Sequence, residues 1–278
     1  MSVTRRPLKS LGQNFLVDQN VVDKIIRSAR LAPGDNIVEI GPGRGALTGR
    51  LLQDAGQLLL VEYDHALAAE LTTYYCNDSR VTVVDGDILA VDLASLLGNE
   101  QSGWKVVANL PYNISTQVLF RLMEVRDRLS RMILMLQKEV GDRLVAEPDC
   151  GDYGVTTVLL GLWFDMRREF IVPPGCFHPR PKVDSAVVSF VPLSAPRVDV
   201  GCEEVFRRVV KGAFAMRRKT LSNCLKAAAV AEPGTLEASL EACGIDGKRR
   251  GETLSLDEFA RLSRRFSEQQ LDSDIRIS

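Results

Sequence analysis

Four consecutive residues, Asn109, Leu110, Pro111 and Tyr112, combine groups suited to holding an exocyclic amine against an electrophile. The amine of adenine is a poor nucleophile because its lone pair is delocalised into the ring. A catalyst must therefore orient it and favour a pyramidal nitrogen. Two acceptors aimed at the amine protons do this. The Asn109 side-chain carbonyl is one candidate, and the Leu110 backbone carbonyl, held outward by the proline that follows, is the other. Tyr112 adds a flat face on which an extruded base can stack. Taken alone, the same four residues also describe an ordinary strand exit with turn-forming asparagine and proline.

A second set lies upstream. The run NIVEI leads straight into Gly41, Pro42, Gly43, Arg44 and Gly45 and then an amphipathic segment, an arrangement that lets a backbone approach a nucleotide closely. The next apolar run, LLLVEYD, carries Glu62 twenty-one residues after Gly41, where a carboxylate accepts both hydroxyls of a ribose. A third run ends in Asp85, Gly86 and Asp87, which puts the Asp87 carboxylate in reach of an adenine amine. The spacing is GxGxG rather than GxGxxG and no second nucleotide-binding half is visible, which favours a mononucleotide-like cofactor over a dinucleotide. Transfer from an activated sulfonium methyl is an in-line displacement governed by positioning and needs no metal. None is expected, since His65 and His178 lie far apart without helpful cysteine spacing.

Positioning such residues calls for a sheet whose strand ends converge. Between residues 37 and 138 short apolar runs alternate with helix-length amphipathic segments, the pattern of a mostly parallel sheet covered on both faces. Between residues 153 and 192 apolar stretches such as VTTVLLGLWF and DSAVVSFVP predict later strands joined antiparallel. The prolines at 173, 174, 179 and 181 mark a loop. After Pro196 the spacing of apolar residues is helical throughout, with Ser255 and Glu258 set for a capping box before the last helix. The expected fold is an α/β doubly wound, Rossmann-like sheet followed by a small all-helical domain. The boundary falls at residues 195–200, dividing 1–197 from 198–278, and the last ten residues are expected to fray.

Net charge is −1, so overall balance announces no polyanion partner, but the distribution is uneven. Residues 60–100 hold eight acidic side chains against Arg80, whereas residues 202–226 hold seven basic ones against Glu203 and Glu204. The six cysteines form no CxxC pair, which fits reduced thiols in a cytoplasmic protein. The opening MSVTRRPLKSLGQNF has no apolar core of a signal peptide, and no membrane-spanning run of about 18 apolar residues is present.

Seven ordered blocks then carry a resemblance: LGQNFLVD (11–18), VEIGPGRGALT (38–48), DGDIL (85–89), NLPYNIST (109–116), LQKEVGDRL (136–144), CFHPRPKVDSAVV (176–188) and FAMRRKTLSNCL (214–225). The chain resembles the bacterial 16S ribosomal RNA adenine dimethyltransferase family, related to the erythromycin-resistance methyltransferases, over residues 11–266. The resemblance implies S-adenosylmethionine as cofactor. It also implies as target two adjacent adenosines in the 3′-terminal hairpin loop of the small-subunit RNA, each dimethylated at N6. It adds Asn14 and Leu16 to Gly41, Glu62, Asp87 and Asn109 as residues holding the cofactor. It makes Phe177 the ring that sandwiches the target base opposite Tyr112, against the plainer alternative of a phenylalanine packed under a proline loop. Gly141 departs from the family pattern, where alanine is commoner.

Folded RNA is held largely by phosphate contacts and shape, and Arg207, Arg208, Lys211, Arg217, Arg218 and Lys219 offer the charges for it. Arg5, Arg6 and Lys9 form a second basic patch within an N-terminal RNA and cofactor segment, residues 1–30. The common fate of such runs is a solvated helix face. The expected partner is 16S rRNA in the small subunit or its precursor, with the protein a monomer. A DNA adenine methyltransferase and a catalytically idle assembly factor are the alternatives. The first calls for a separate groove-reading domain, which the compact helical tail does not resemble.

Overall fold

The computed structural model describes residues 13–98, 103–230 and 234–277. Arg5, Arg6 and Lys9 lie outside them. In chain order the strands are β1 (Phe15–Leu16), β2 (Asp35–Ile40), β3 (Ala55–Glu62), β4 (Val81–Asp85), β5 (Trp104–Asn109), β6 (Leu129–Gln137), β7 (Phe164–Val172), β8 (Phe177–His178) and β9 (Ser185–Pro192). The helices are α1 (Gln19–Ala29), α2 (Thr48–Asp54), α3 (His65–Tyr75), α4 (Leu93–Leu97), α5 (Ser115–Met123), α6 (Lys138–Leu144), α7 (Val155–Gly161), α8 (Glu203–Ala213), α9 (Leu221–Ala227), α10 (Leu236–Ala242) and α11 (Leu256–Ile277).

Two compact units result: Met1–Asp142 with Phe164–Ser194, and Arg143–Trp163 with Ala195–Ser278. The first is built on a seven-stranded sheet in the order β4-β3-β2-β5-β6-β9-β7. Strands β2 to β6 pair in parallel and β9 runs antiparallel between β6 and β7. Apolar strands buried on both faces explain the uninterrupted runs in the sequence. Ile37, Leu58, Leu60, Val107, Ile133 and Val187 form one core cluster with Val22 and Ile25 of α1. Each such burial contributes roughly 1.5–3 kcal/mol. Strand β2 has β3 on one side and β5 on the other, so the order reverses there and a crevice opens beyond the carboxyl ends of β2 and β5. Gly41 and Asn109 stand at those two ends.

Capping fixes the entries to the helices beside the crevice. Asp18 accepts the Asn20 and Val21 amides ahead of α1, and Asp64 accepts those of Ala66 and Leu67 ahead of α3. In α6, Gly141 is required by packing: a Cβ there would lie 2.7 Å from the Cβ of Ala186 on β9.

The second unit is helical. It includes VTTVLLG, which the sequence predicted as strand; the segment forms α7, which buries Thr157, Val158, Leu159 and Leu160. The antiparallel strand is instead FDMRREFIV, β7, whose charged residues masked its character. Residues 143–163 therefore join the helical unit rather than the sheet. The Tyr153 ring meets that of Phe214 at 6.1 Å, and the Asp149 amide donates to the Glu252 carbonyl at 2.8 Å. The capping box forms: the Ser255 amide donates to Glu258 Oε2 at 2.8 Å and the Glu258 amide to Ser255 Oγ at 3.2 Å. Helix α11 continues to Ile277, past the expected start of fraying. Among the described residues no helix is long and apolar enough to cross a membrane.

Candidate active site

Two neighbouring cavities open at the crevice, with empty volumes of about 710 and 880 Å3, including space open to solvent. Gln13, Gly41, Glu62 and Pro111 line both. Asn14, Leu16, Glu39, Asn109 and Tyr112 belong to the first; Tyr63, Asp87, Ile88 and Asn113 belong to the second.

The glycine turn is shaped for a close approach. Gly41 and Gly43 take φ of 65° and 57°, in the left-handed region that a side chain disfavours. A Cβ on Gly43 would also meet the Phe15 ring at 3.0 Å. The Gly43 amide donates to Glu62 Oε2 and the Asp64 amide to Glu62 Oε1, both at 2.9 Å. Each oxygen keeps a further lone pair for a ligand hydroxyl. Burial pushes the Glu62 carboxyl above its ordinary value, and these amides pull it back in part. Asp87 Oδ1 accepts the Leu89 amide at 2.9 Å, which fixes its carboxylate two residues beyond β4.

At the end of β5, Asn109 Nδ2 donates to the Asn14 carbonyl at 2.9 Å. A carbonyl can only accept, so this bond sets the amide's orientation and leaves Oδ1 as its acceptor face. The Leu110 amide donates to the Met135 carbonyl at 2.9 Å, and the Leu110 carbonyl receives no hydrogen bond among the described residues. Two acceptors thus sit on consecutive residues. Tyr112 is half-buried and its hydroxyl bonds Ser185 Oγ at 2.7 Å, which fixes the plane of the ring. Burial raises its phenol.

Phe177 pairs with Leu16 in the short β1–β8 ladder, is 2% exposed, and lies in the core cluster. It backs the strand that carries Leu16 into the first cavity and lines neither cavity itself; its place over a target base stays what the resemblance implies.

The six basic residues expected to meet RNA are all exposed, but they do not share one helix. Arg207, Arg208 and Lys211 lie on α8, whereas Arg217, Arg218 and Lys219 occupy the turns before α9. Arg217 is tied there by a bond from its guanidinium to the Gly151 carbonyl at 3.0 Å.

Sequence reasoning missed Gln13, Glu39, Tyr63, Ile88 and Asn113. For Glu39 a signal existed: it is a lone charge in an apolar strand, and buried charges need a reason. It is 2% exposed and accepts from Thr48 Oγ1 at 2.7 Å. Burial above all pushes its carboxyl up to about 8; the Thr48 bond opposes this and the nearby Glu62 adds to it.

A family model described as ribosomal RNA adenine dimethylase matches residues 6–268. The ribosomal RNA small subunit methyltransferase A of Geobacter metallireducens is 57% identical over 93% of this chain and 95% of its own length. The protein of the same name from Syntrophotalea carbinolica is 49% identical over 94% and 97%. Among solved structures, a dimethyladenosine transferase from Plasmodium falciparum superposes with a TM-score of 0.78. It covers 92% of this chain and 98% of its own at 24% identity, and so matches it in fold.

Proposed function

The chain belongs to the ribosomal RNA adenine dimethylase family, and on that premise we propose that it dimethylates N6 of two adjacent adenosines in the 3′-terminal hairpin loop of 16S rRNA. It is an S-adenosylmethionine-dependent rRNA adenine methyltransferase. The finer reading has it acting on the small subunit or its precursor, as a monomer in the cytoplasm. The name shared by its relatives, small subunit methyltransferase A, supports the choice of subunit.

S-adenosylmethionine supplies an already activated methyl group, so what this chain must do is bind, orient and exclude. Gly41 lets the backbone approach, Glu62 accepts the ribose hydroxyls, Asp87 accepts from the adenine amine, and Asn14 and Leu16 close the opposite wall. Asn109 borders the same space and faces the target amine with Oδ1. With the Leu110 carbonyl it accepts the two amine protons, which draws the lone pair onto nitrogen. Tyr112 supports one face of the flipped base. The exposed cations Arg207, Arg208, Lys211, Arg217, Arg218 and Lys219 bind backbone phosphates.

The fixed Asn109 amide carries this reading. Its test is transfer of labelled methyl to small subunits from cells lacking the modification, with mass mapping of the RNA. Dimethyladenosine at two adjacent positions near the 3′ end is the expected product. Label elsewhere in the RNA, or none, would refute the assigned target.

A further inference from the structure

Strand β2 carries a single acidic residue in its buried half, Glu39, between Val38 and Ile40. Its carboxyl is covered yet lines the first cavity, beside Gly41, Asn14 and Asn109. The Thr48 hydroxyl gives it the one hydrogen bond it has among the described residues. The charged or titratable groups around it are Glu62 on β3, Tyr75 on α3 and Arg44 in the glycine turn. Arg44 is stacked over the Phe15 ring, 4.5 Å from its centroid. A covered carboxyl beside a second carboxylate is costly to ionise unless a cation pairs with it.

We propose that Glu39 makes the site prefer the sulfonium cofactor over its neutral thioether product, by supplying negative charge to the cavity where the methyl group is transferred. The inference rests on the reading above, in which Glu62 and Asp87 take the adenosyl half and leave the first cavity to the sulfonium half. Methyl transfer breaks the carbon–sulfur bond, returns its electron pair to sulfur and forms the carbon–nitrogen bond. The amine proton leaves to solvent, and the positive charge on sulfur is gone. Glu39, raised to about 8 by burial in the cofactor-free protein, is largely protonated at neutral pH. A cation in the cavity draws that proton off, and loss of the cation lets Glu39 recover one from solvent. Binding the cofactor then releases protons that binding the product does not.

Calorimetry on the full chain tests this, with S-adenosylmethionine and S-adenosylhomocysteine as the two ligands. Titrations run from pH 6 to 9 in two buffers of different ionisation enthalpy. The wild type is expected to release more protons with the first ligand near pH 7 and to prefer it increasingly as pH rises. Glu39→Gln should lower the preference about tenfold, while leaving product affinity within about twofold. A preference that stays flat with pH in the wild type overturns the proposal without need of any variant, as does an unchanged ratio in Glu39→Gln. Glu62→Gln separates the two readings. It should weaken both ligands alike, and if it weakens neither, the site reading falls and the proposal with it.

Discussion

The side-chain nitrogen of Asn109 donates to the main-chain carbonyl of Asn14 at 2.9 Å, joining residues ninety-five positions apart. The bond ties the residue that leads into β1 to the end of β5, on the wall of the first cavity. Residue 14 acts on Asn109 through its backbone, so the orientation of the amide depends on where β1 lies rather than on the side chain at that position. Three contacts keep β1 there: the ladder from Leu16 to Phe177, the Val17 amide bonded to the Cys176 carbonyl at 2.9 Å, and the Arg44 guanidinium over Phe15.

Tyr112 separates ring from hydroxyl. Tyr112→Phe keeps the stacking face and loses only the bond to Ser185, so kcat/KM for RNA should fall less than about fivefold. Tyr112→Ala removes the face itself. Base stacking is worth about 1–3 kcal/mol, which corresponds to a loss of about five- to 150-fold. Steady-state kinetics with small subunits decides between them, and equal losses in the two variants would deny the stacking role.

Glu39 links stability to pH with an unusual sign. Its carboxyl holds a proton more tightly folded, at about 8, than at the ordinary value of 4.5. Its contribution is therefore fully present below about pH 4.5 and is lost as pH rises towards 8. Glu39→Gln does not titrate, so its Tm relative to wild type should climb between pH 5 and 8. A change of 1 kcal/mol shifts Tm by about 2–4 °C in a chain of this size, so the expected gain is several degrees. Thermal melts of the cofactor-free protein across that range would show a constant difference if Glu39 were not buried in this way.

Gly141→Ala sets two effects against each other. Alanine gains up to about 1 kcal/mol in a helix. The new Cβ, however, would sit 2.7 Å from the Ala186 Cβ on buried β9, and overpacking of this kind costs typically about 1–3 kcal/mol. The net expectation is a loss of up to about 2 kcal/mol, read from urea unfolding. A stabilised variant would mean that β9 yields easily.

The salt dependence of RNA binding reports on the exposed cations of the helical unit. Replacing Arg217, Arg218 and Lys219 by glutamine should flatten the log–log slope by about 2–3, at about 0.7–0.9 per phosphate contact. Cofactor affinity should stay unchanged. An unaltered slope would return these residues to the solvated surface.

The parallel strands and the glycine turn were legible in the sequence because unbroken apolar runs and left-handed glycines are local signals. Gly41, Glu62, Asp87 and Asn109 follow from strand ends alone, and the structure brings all four to the cavities. The surroundings of Phe177 were not legible in the same way: an aromatic before a proline loop does not tell how far the fold covers it, and tertiary packing leaves it buried. VTTVLLG misled because a β-branched apolar run suits a strand, while its neighbours in the helical unit made it α7. The apolar spacing after Pro196 reads as helical up to Arg218 and again from Lys219, but α8 ends at Ala213 and leaves Arg217, Arg218 and Lys219 in turns. Asn14 was marked only by resemblance, since a contact ninety-five residues long leaves no periodic trace.

The most direct test of the account is the single-turnover rate of methyl transfer by Asn109→Ala, at saturating S-adenosylmethionine and small subunits. Losing one preorganised acceptor should slow the chemical step by about 10²–10³-fold, the range seen when a single preorganised hydrogen-bonding partner is removed from an active site. Asn14→Ala, which keeps its backbone carbonyl, should slow that step far less. A rate for Asn109→Ala within about threefold of wild type would contradict the claim that this amide holds the target amine for transfer.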